Sequence, residues 1–188
     1  MTPVGILLAA GRGRRFDPTG GRNKLLQRLP GGELVVVASA RNLLSVLPNV
    51  IAVVPPDDAG VGDALRALGV EVTVCADADT GMAASLVHAF RHSLSADAWL
   101  VALGDMPFVE PQTIRALCDS LAAGAAIAAP LMQGRRGNPV GFGSLHLPTL
   151  LALQGDQGAR GIIRSNPVTE VAVDDPGIFR DIDTDADL

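Results

Sequence analysis

Leu8-Ala9-Ala10-Gly11-Arg12-Gly13-Arg14-Arg15-Phe16 follows at once on the apolar run Val4 to Leu8, and its reading decides the fold. A short apolar run bounded by glycines reads as a buried strand. Glycines just beyond it let the backbone approach an anion closely and turn its amides inward as donors. In a parallel sheet, ligands bind beyond the carboxyl ends of the strands, where such a loop lies. Two familiar phosphate loops are excluded. The dinucleotide fingerprint needs glycine where Phe16 stands, and the P-loop needs Gly-Lys-Ser/Thr where Lys24 is flanked by Asn23 and Leu25.

The pattern repeats outward. Val50 to Val54, Val70 to Cys75, Trp99 to Leu103 and Ala125 to Ala129 read as further buried strands. Helical patterns fall between them: Asp57 to Leu68, the face Leu86, Val87, Phe90 and Leu94, and the face Ile114, Leu117 and Leu121. Alternation of strand and helix implies an α/β protein whose parallel sheet is covered on both faces. After about Pro130 the chain turns rich in Gly, Pro and Arg, and the strand Val140 to Phe142 leads into short helical pieces. We read residues 1–188 as one domain, with about 1–130 as a nucleotide-binding half and about 131–188 as an acceptor-binding elaboration.

Composition narrows the function. At 48% hydrophobic and 19% charged residues the chain is globular, and a net charge of −5 argues against non-specific nucleic-acid binding. With no Tyr and one Trp it lacks the aromatic platforms of single-strand binders. The apolar start is too short to span a bilayer and its positive charges follow rather than precede it, so a soluble, cytoplasmic protein is expected. Cys75 and Cys118 sit in apolar stretches without a CxxC pattern and are expected as buried thiols.

A second informative stretch is Val101-Ala102-Leu103-Gly104-Asp105-Met106-Pro107-Phe108. It sets a carboxylate at a strand end, on the edge that carries the glycine loop. Hard Mg²⁺ prefers one or two carboxylates plus phosphate oxygens and water, which suits Asp105. Pro111 and Glu110 serve the start of the following helix, Gln112 to Leu121, better than Asp105 does. His88 and His92 have the spacing of a helix face, but Ala89 stands where a zinc-hydrolase motif has glutamate. His146 reads as surface packing. The tail acids Asp174, Asp175, Asp181, Asp183, Asp185 and Asp187 read mostly as a solvated or capping run.

Together these stretches resemble the nucleotidyltransferase superfamily with a glycosyltransferase-A-like fold, and more closely its molybdenum cofactor cytidylyltransferase branch. Four further stretches follow in that family's order: Gly81-Met82-Ala83-Ala84-Ser85-Leu86, Arg136-Gly137-Asn138-Pro139-Val140, Gly155-Asp156-Gln157-Gly158-Ala159-Arg160 and Asp181-Ile182-Asp183-Thr184. The resemblance implies a three-layer Rossmann-like fold with a mostly parallel mixed sheet. It implies that Ala9, Ala10, Gly11 and Gly13 wrap the nucleotide, with Arg15 and Lys24 on its phosphates and Gly81 and Ser85 near base and ribose. Asp105 matches the metal aspartate. Asp183 either faces the metal from the other side or caps a terminal turn.

Asn138, Pro139, Asp156 and Arg160 fall on the acceptor side of the resemblance. The insert Asp17-Pro18-Thr19-Gly20-Gly21-Arg22-Asn23 lengthens the route to Lys24, leaving Lys24 and Arg22 as rivals for one phosphate contact. Ala10 and the Gly104-Asp105 pair resemble the cytidylyl side, where guanylyl enzymes carry Leu-Ala-Gly-Gly and Cys-Asp. The implied reaction is CMP transfer from CTP to molybdopterin phosphate with Mg²⁺ (or Mn²⁺), the product serving a molybdoenzyme or its chaperone. GTP, a sugar phosphate acceptor, or a non-catalytic cofactor chaperone are the alternatives. No membrane or nucleic-acid partner is expected.

Overall fold

A computed structural model describes residues 2–11, 13, 15–156 and 158–188. Arg12 and Arg14 of the glycine loop and Gln157 of the 155–160 stretch lie outside the described residues. The strands are β1 (Val4–Leu8), β2 (Val50–Val54), β3 (Glu71–Val74), β4 (Ala98–Leu103), β5 (Ile127–Met132), β6 (Arg135–Arg136), β7 (Val140–Gly143) and β8 (Thr169–Ala172). The α-helices are α1 (Val35–Leu44), α2 (Val61–Arg66), α3 (Met82–Arg91), α4 (Pro111–Ala122), α5 (Leu147–Leu151) and α6 (Arg160–Ser165). The strands form one sheet in the order β3-β2-β1-β4-β7-β5-β6, with β8 paired to β5.

β3, β2, β1 and β4 run parallel, as the strand–helix alternation requires. β7 then enters antiparallel between β4 and β5, while β8 returns parallel to β5. The sheet is therefore mixed, and the C-terminal stretch is woven into it rather than appended.

Side chains alternate across each strand, so one sheet feeds two cores. Leu7, Ala52, Val54 and Leu100 pack toward α1, α2 and α4. Ile6, Val53, Trp99 and Val101 pack toward α3 and α5. Trp99 is fully buried; its indole N–H donates to Ser93 Oγ at 2.8 Å, and Phe90 meets it edge-on at 5.3 Å. That bond spares a buried donor the ~1–3 kcal/mol of remaining unpaired.

Several boundaries move, each for a local reason. α2 is shorter than Asp57 to Leu68 because the Asp58 carboxylate accepts from the Gly60 and Gly62 amides and Gly60 is left-handed at φ 98°. β5 starts two residues after Ala125, since α4 ends at left-handed Gly124 and the chain must still cross to the sheet. Glu110 holds the cap position of α4 without a side-chain bond. The buried Asp175 serves instead, accepting from the Glu110 amide at 2.9 Å and the Thr113 hydroxyl at 2.7 Å. His146 is buried, 8% exposed, rather than a surface residue. Cys75 and Cys118 are free thiols packed on opposite faces of the sheet; burial raises both, Cys118 to about 11.

Candidate active site

Four segments meet beyond the carboxyl ends of β1 and β4. The Gly104 amide donates to Leu8 O at 2.9 Å, binding the start of the Asp105 loop to the end of β1. A Cβ at Gly104 would crowd Leu8 O at 3.1 Å, so a side chain there would push the two strand ends apart. Ser39 of α1 donates to Gly104 O, and Asn42 donates through its amide to Pro107 O, both at 2.9 Å. The tail joins through the Ile182 amide, which donates to Asp105 O at 2.9 Å, and through the fully buried Ile182 side chain. Asp105 and the tail acids are thereby fixed to the sheet edge by backbone bonds.

The opposite wall comes from the start of α3. Gly81 is left-handed at φ 136°, and a Cβ there would meet Gly155 O and Asp156 Oδ1 at 2.6 Å. The Ala83 amide donates to Gly155 O at 3.1 Å, so the 155–156 loop rests on the first turn of α3. Glycine at 81 is what lets these segments touch.

Between the walls lies a cavity of about 570 Å³, a size suited to a small-molecule ligand. Ala10, Gly11, Gly13, Arg15 and Lys24 line one side, and Gly81, Ser85 and Asp156 the other; Asp105 and Asp183 complete it. Most of the residues singled out in the sequence are thus brought together. Ala9 is buried, its amide bonded to Val53 O, and it lines a neighbouring cleft instead. Asn138 and Pro139 stand apart, in a small apolar pocket with Met106 and Ile114. Arg160 is exposed at the start of α6 and is not part of the cavity lining.

The charges are arranged in pairs. Lys24 begins a 3-10 turn (Lys24–Leu26) capped by Asn23, whose Oδ1 accepts from the Leu25 amide at 2.9 Å. Its ammonium nevertheless points inward, 2.5 Å from Asp105 and 3.5 Å from Asp183, with only 11% of the side chain exposed. Arg15 lies 2.5 Å from Asp183 but is 82% exposed. Arg22 lies outside the cavity, joined to Asp185 at 2.7 Å. The insert therefore does not put Arg22 in the place of Lys24.

Sequence reading missed Asp181. Oxygens of Asp105, Asp181 and Asp183 lie within 4.8 Å of one another. An all-oxygen set of carboxylates is the donor chemistry that a hard divalent cation such as Mg²⁺ or Mn²⁺ takes. Burial holds the Asp181 carboxyl above the usual range, reinforced by the charges of Asp183 and Asp105 and opposed by Lys24. Asp183 does not cap the last turn; Asp187 does, in a capping box with Thr184. The signal that could have exposed Asp181 is the alternation Asp181-Ile182-Asp183, in which a buried Ile182 turns its neighbours to the same edge.

A site with a glycine loop, one inward cation, one exposed cation and an oxygen cluster can hold a polyphosphate and a divalent ion together. The chain is similar to several known proteins over nearly its whole length. Purine catabolism protein PucB of Bacillus subtilis is 30% identical, over 96% of this chain and 91% of that protein. The crystal structure of Rv0371c from Mycobacterium tuberculosis superimposes with a TM-score of 0.85 at 28% identity, covering 100% and 95% of the two chains. A manganese complex of Rv0371c matches at 0.80 and 27% identity, covering 100% and 96%. A nucleotidyl transferase from Methanothermobacter shares the fold, with a TM-score of 0.82 at 24% identity and coverage of 99% and 94%. The model of the MobA-like NTP transferase domain matches residues 5–171, so the chain belongs to that family and is a nucleotidyltransferase.

Proposed function

We propose that this nucleotidyltransferase moves CMP from CTP onto the phosphate of molybdopterin and releases pyrophosphate. The observation that supports the reading is the pairing of Lys24 and Arg15 with Asp105 and Asp183 in the lining of one glycine-walled cavity. An oxygen of the acceptor phosphate attacks the α-phosphorus in line, a new P–O bond forms, and the bond to the β-phosphate oxygen breaks. The nucleophile is already anionic, so no covalent enzyme intermediate is required. Catalysis then rests on positioning and on charge neutralisation at the leaving pyrophosphate.

Lys24 and Arg15 bind the β- and γ-phosphates, exchanging their carboxylate partners for phosphate oxygens. Gly11 and Gly13 bring backbone amides to the triphosphate, and Gly81 and Ser85 hold base and ribose. Asp105 and Asp183, with Asp181, are the residues that would hold Mg²⁺; when bound, it supplies a Lewis acid at the α-phosphate and a counter-charge for pyrophosphate. Ala10 lines the cavity, and its methyl narrows the base site toward a pyrimidine. Asp156, also in the lining, faces the acceptor.

The test is incubation of the protein with each NTP in turn, Mg²⁺ and purified molybdopterin, with products identified by mass. A cytosine dinucleotide product plus pyrophosphate is expected. A guanine dinucleotide from GTP would overturn the base, and turnover only with a sugar phosphate would overturn the acceptor.

A further inference from the structure

Among the described residues, three cations of the 13–24 segment reach the acidic tail, and they differ in what ligand binding would do to them. Arg15 and Lys24 line the cavity and hold Asp183 and Asp105. Nucleotide and metal compete for both sides of those pairs, which must open. Arg22 and Asp185 are both absent from the cavity lining, so their pair has no such competitor.

Arg22 is also the most fully held of the three. Its two terminal nitrogens donate to Asp185 at 2.9 and 2.7 Å, and one of them also donates to Gln27 Oε1 at 3.0 Å. The guanidinium lies over the Phe16 ring at 5.0 Å, and the Arg22 amide donates to Asp17 Oδ2 at 2.8 Å. Asp17 also accepts from the Thr19 amide and hydroxyl, at 2.8 and 2.6 Å. The insert is thus an ordered brace with one end on the glycine loop and the other on the tail.

We propose that Arg22 is a positioning residue: its pair with Asp185 clamps the terminal turn so that Asp183, and Asp181 beside it, keep their metal-binding positions once Arg15 and Lys24 release Asp183. This rests on the metal reading of the Asp105–Asp181–Asp183 cluster. Ile182 already anchors the tail, and the Arg22–Asp185 pair is half-exposed, so the clamp acts as a modest increment to a site that exists without it. An increment of that kind corresponds to about fivefold in affinity.

The experiment is Mn²⁺ binding to the purified full chain without nucleotide, followed by the EPR signal of the free ion. It compares wild type, Arg22→Ala, Asp185→Ala, the double alanine variant, the exchanged pair Arg22→Asp with Asp185→Arg, and Asp183→Asn. Each alanine variant should bind about fivefold more weakly, the double variant no worse than either single, and the exchanged pair should recover most of the loss. Loss of binding in Asp183→Asn with unchanged affinity in both single alanine variants would overturn the clamp and leave the metal reading standing. Penalties that simply add in the double variant would overturn it too. A raised KM for CTP in Arg22→Ala alone, with Asp185→Ala silent, would make Arg22 a nucleotide contact instead. Wild-type affinity in Asp183→Asn overturns the metal reading and the clamp together.

Discussion

Two clefts of the same size, about 570 Å³ each, share α3 as a wall and differ in everything else. The first turns of α3 face the cavity of Lys24, Asp105 and Asp183. Its later turns face a cleft lined by Val74, Ala84, Val87, Leu151 and Leu153, with Asp77, His88 and Arg91 among them. In the first, charges of both signs stand within 4 Å of one another and a glycine loop exposes backbone. In the second, the side chains are mostly apolar, and His88 is engaged by Thr73 Oγ1 at 2.7 Å and by the ring of His92 at 4.4 Å. Volume does not separate them; paired charges that a ligand can exchange for its own do. A phosphate ligand gains from backbone amides and an inward ammonium, and only the first cleft supplies both, the ammonium being that of Lys24.

The largest effect that would break this contrast is loss of Asp105. Asp105→Ala should lower turnover about a thousandfold or more while circular dichroism and Tm stay close to wild type. Pyrophosphate release measures it, and turnover within a few-fold of wild type would take Asp105 out of the mechanism. Next comes Lys24→Ala, expected to cost about a hundredfold in kcat with little change in CTP affinity, because the ammonium acts as charge builds on the leaving group. Weaker CTP binding with kcat unchanged would mean that Lys24 binds substrate and transition state alike.

A smaller change is expected at Ala10. Ala10→Gly should reduce the preference for CTP over GTP by about tenfold, the scale of one methyl in a shaped pocket. Competition between the two nucleotides in one assay reads this out, and an unchanged ratio would move base choice elsewhere in the cavity.

The smallest effect belongs to the second cleft. His88→Gln should change turnover by less than about twofold, yet it should alter the pH dependence of stability. Burial, with the charges of His92 and Arg91, holds His88 below its ordinary value of 6.5. The folded state then favours neutral imidazole, so the stabilisation is present above pH 6.5 and is lost as the pH falls below it. The Tm of wild type should fall relative to His88→Gln on acidification through that range, and parallel curves would show that His88 is not the titrating group. A large loss of turnover in this variant would erase the difference between the clefts.

How much of this was legible in the sequence follows the range of the forces involved. β1, β2 and β4 are continuous apolar runs whose burial is a local property, and they lie almost where the runs do. The glycine loop and Asp105 were legible because a strand end in a parallel sheet has a known use. The antiparallel entry of β7 was not, since pairing between Val140–Gly143 and the distant β4 leaves no local mark. Asp181 was lost among six aspartates of the tail, which only the anchoring of Ile182 sorts into candidate ligand, cap and buried brace. Lys24 could be read as the start of a surface turn or as an inward cation. It is both, because the 3-10 turn fixes its backbone while the carboxylates draw in the ammonium.

The bond between Trp99 and Ser93 has a practical corollary. Trp99 is the chain's only tryptophan and there is no tyrosine, so near-ultraviolet emission comes from one indole sealed inside the sheet. Along β4 it sits six residues from Asp105, at most about 20 Å away by strand rise. Titration with a nucleotide should leave its wavelength of maximum emission unmoved, whereas denaturant should shift it to the red in a single step as solvent reaches the ring. A shift on nucleotide addition would mean that the ligand rearranges the sheet itself, which makes this indole a built-in control for every variant above.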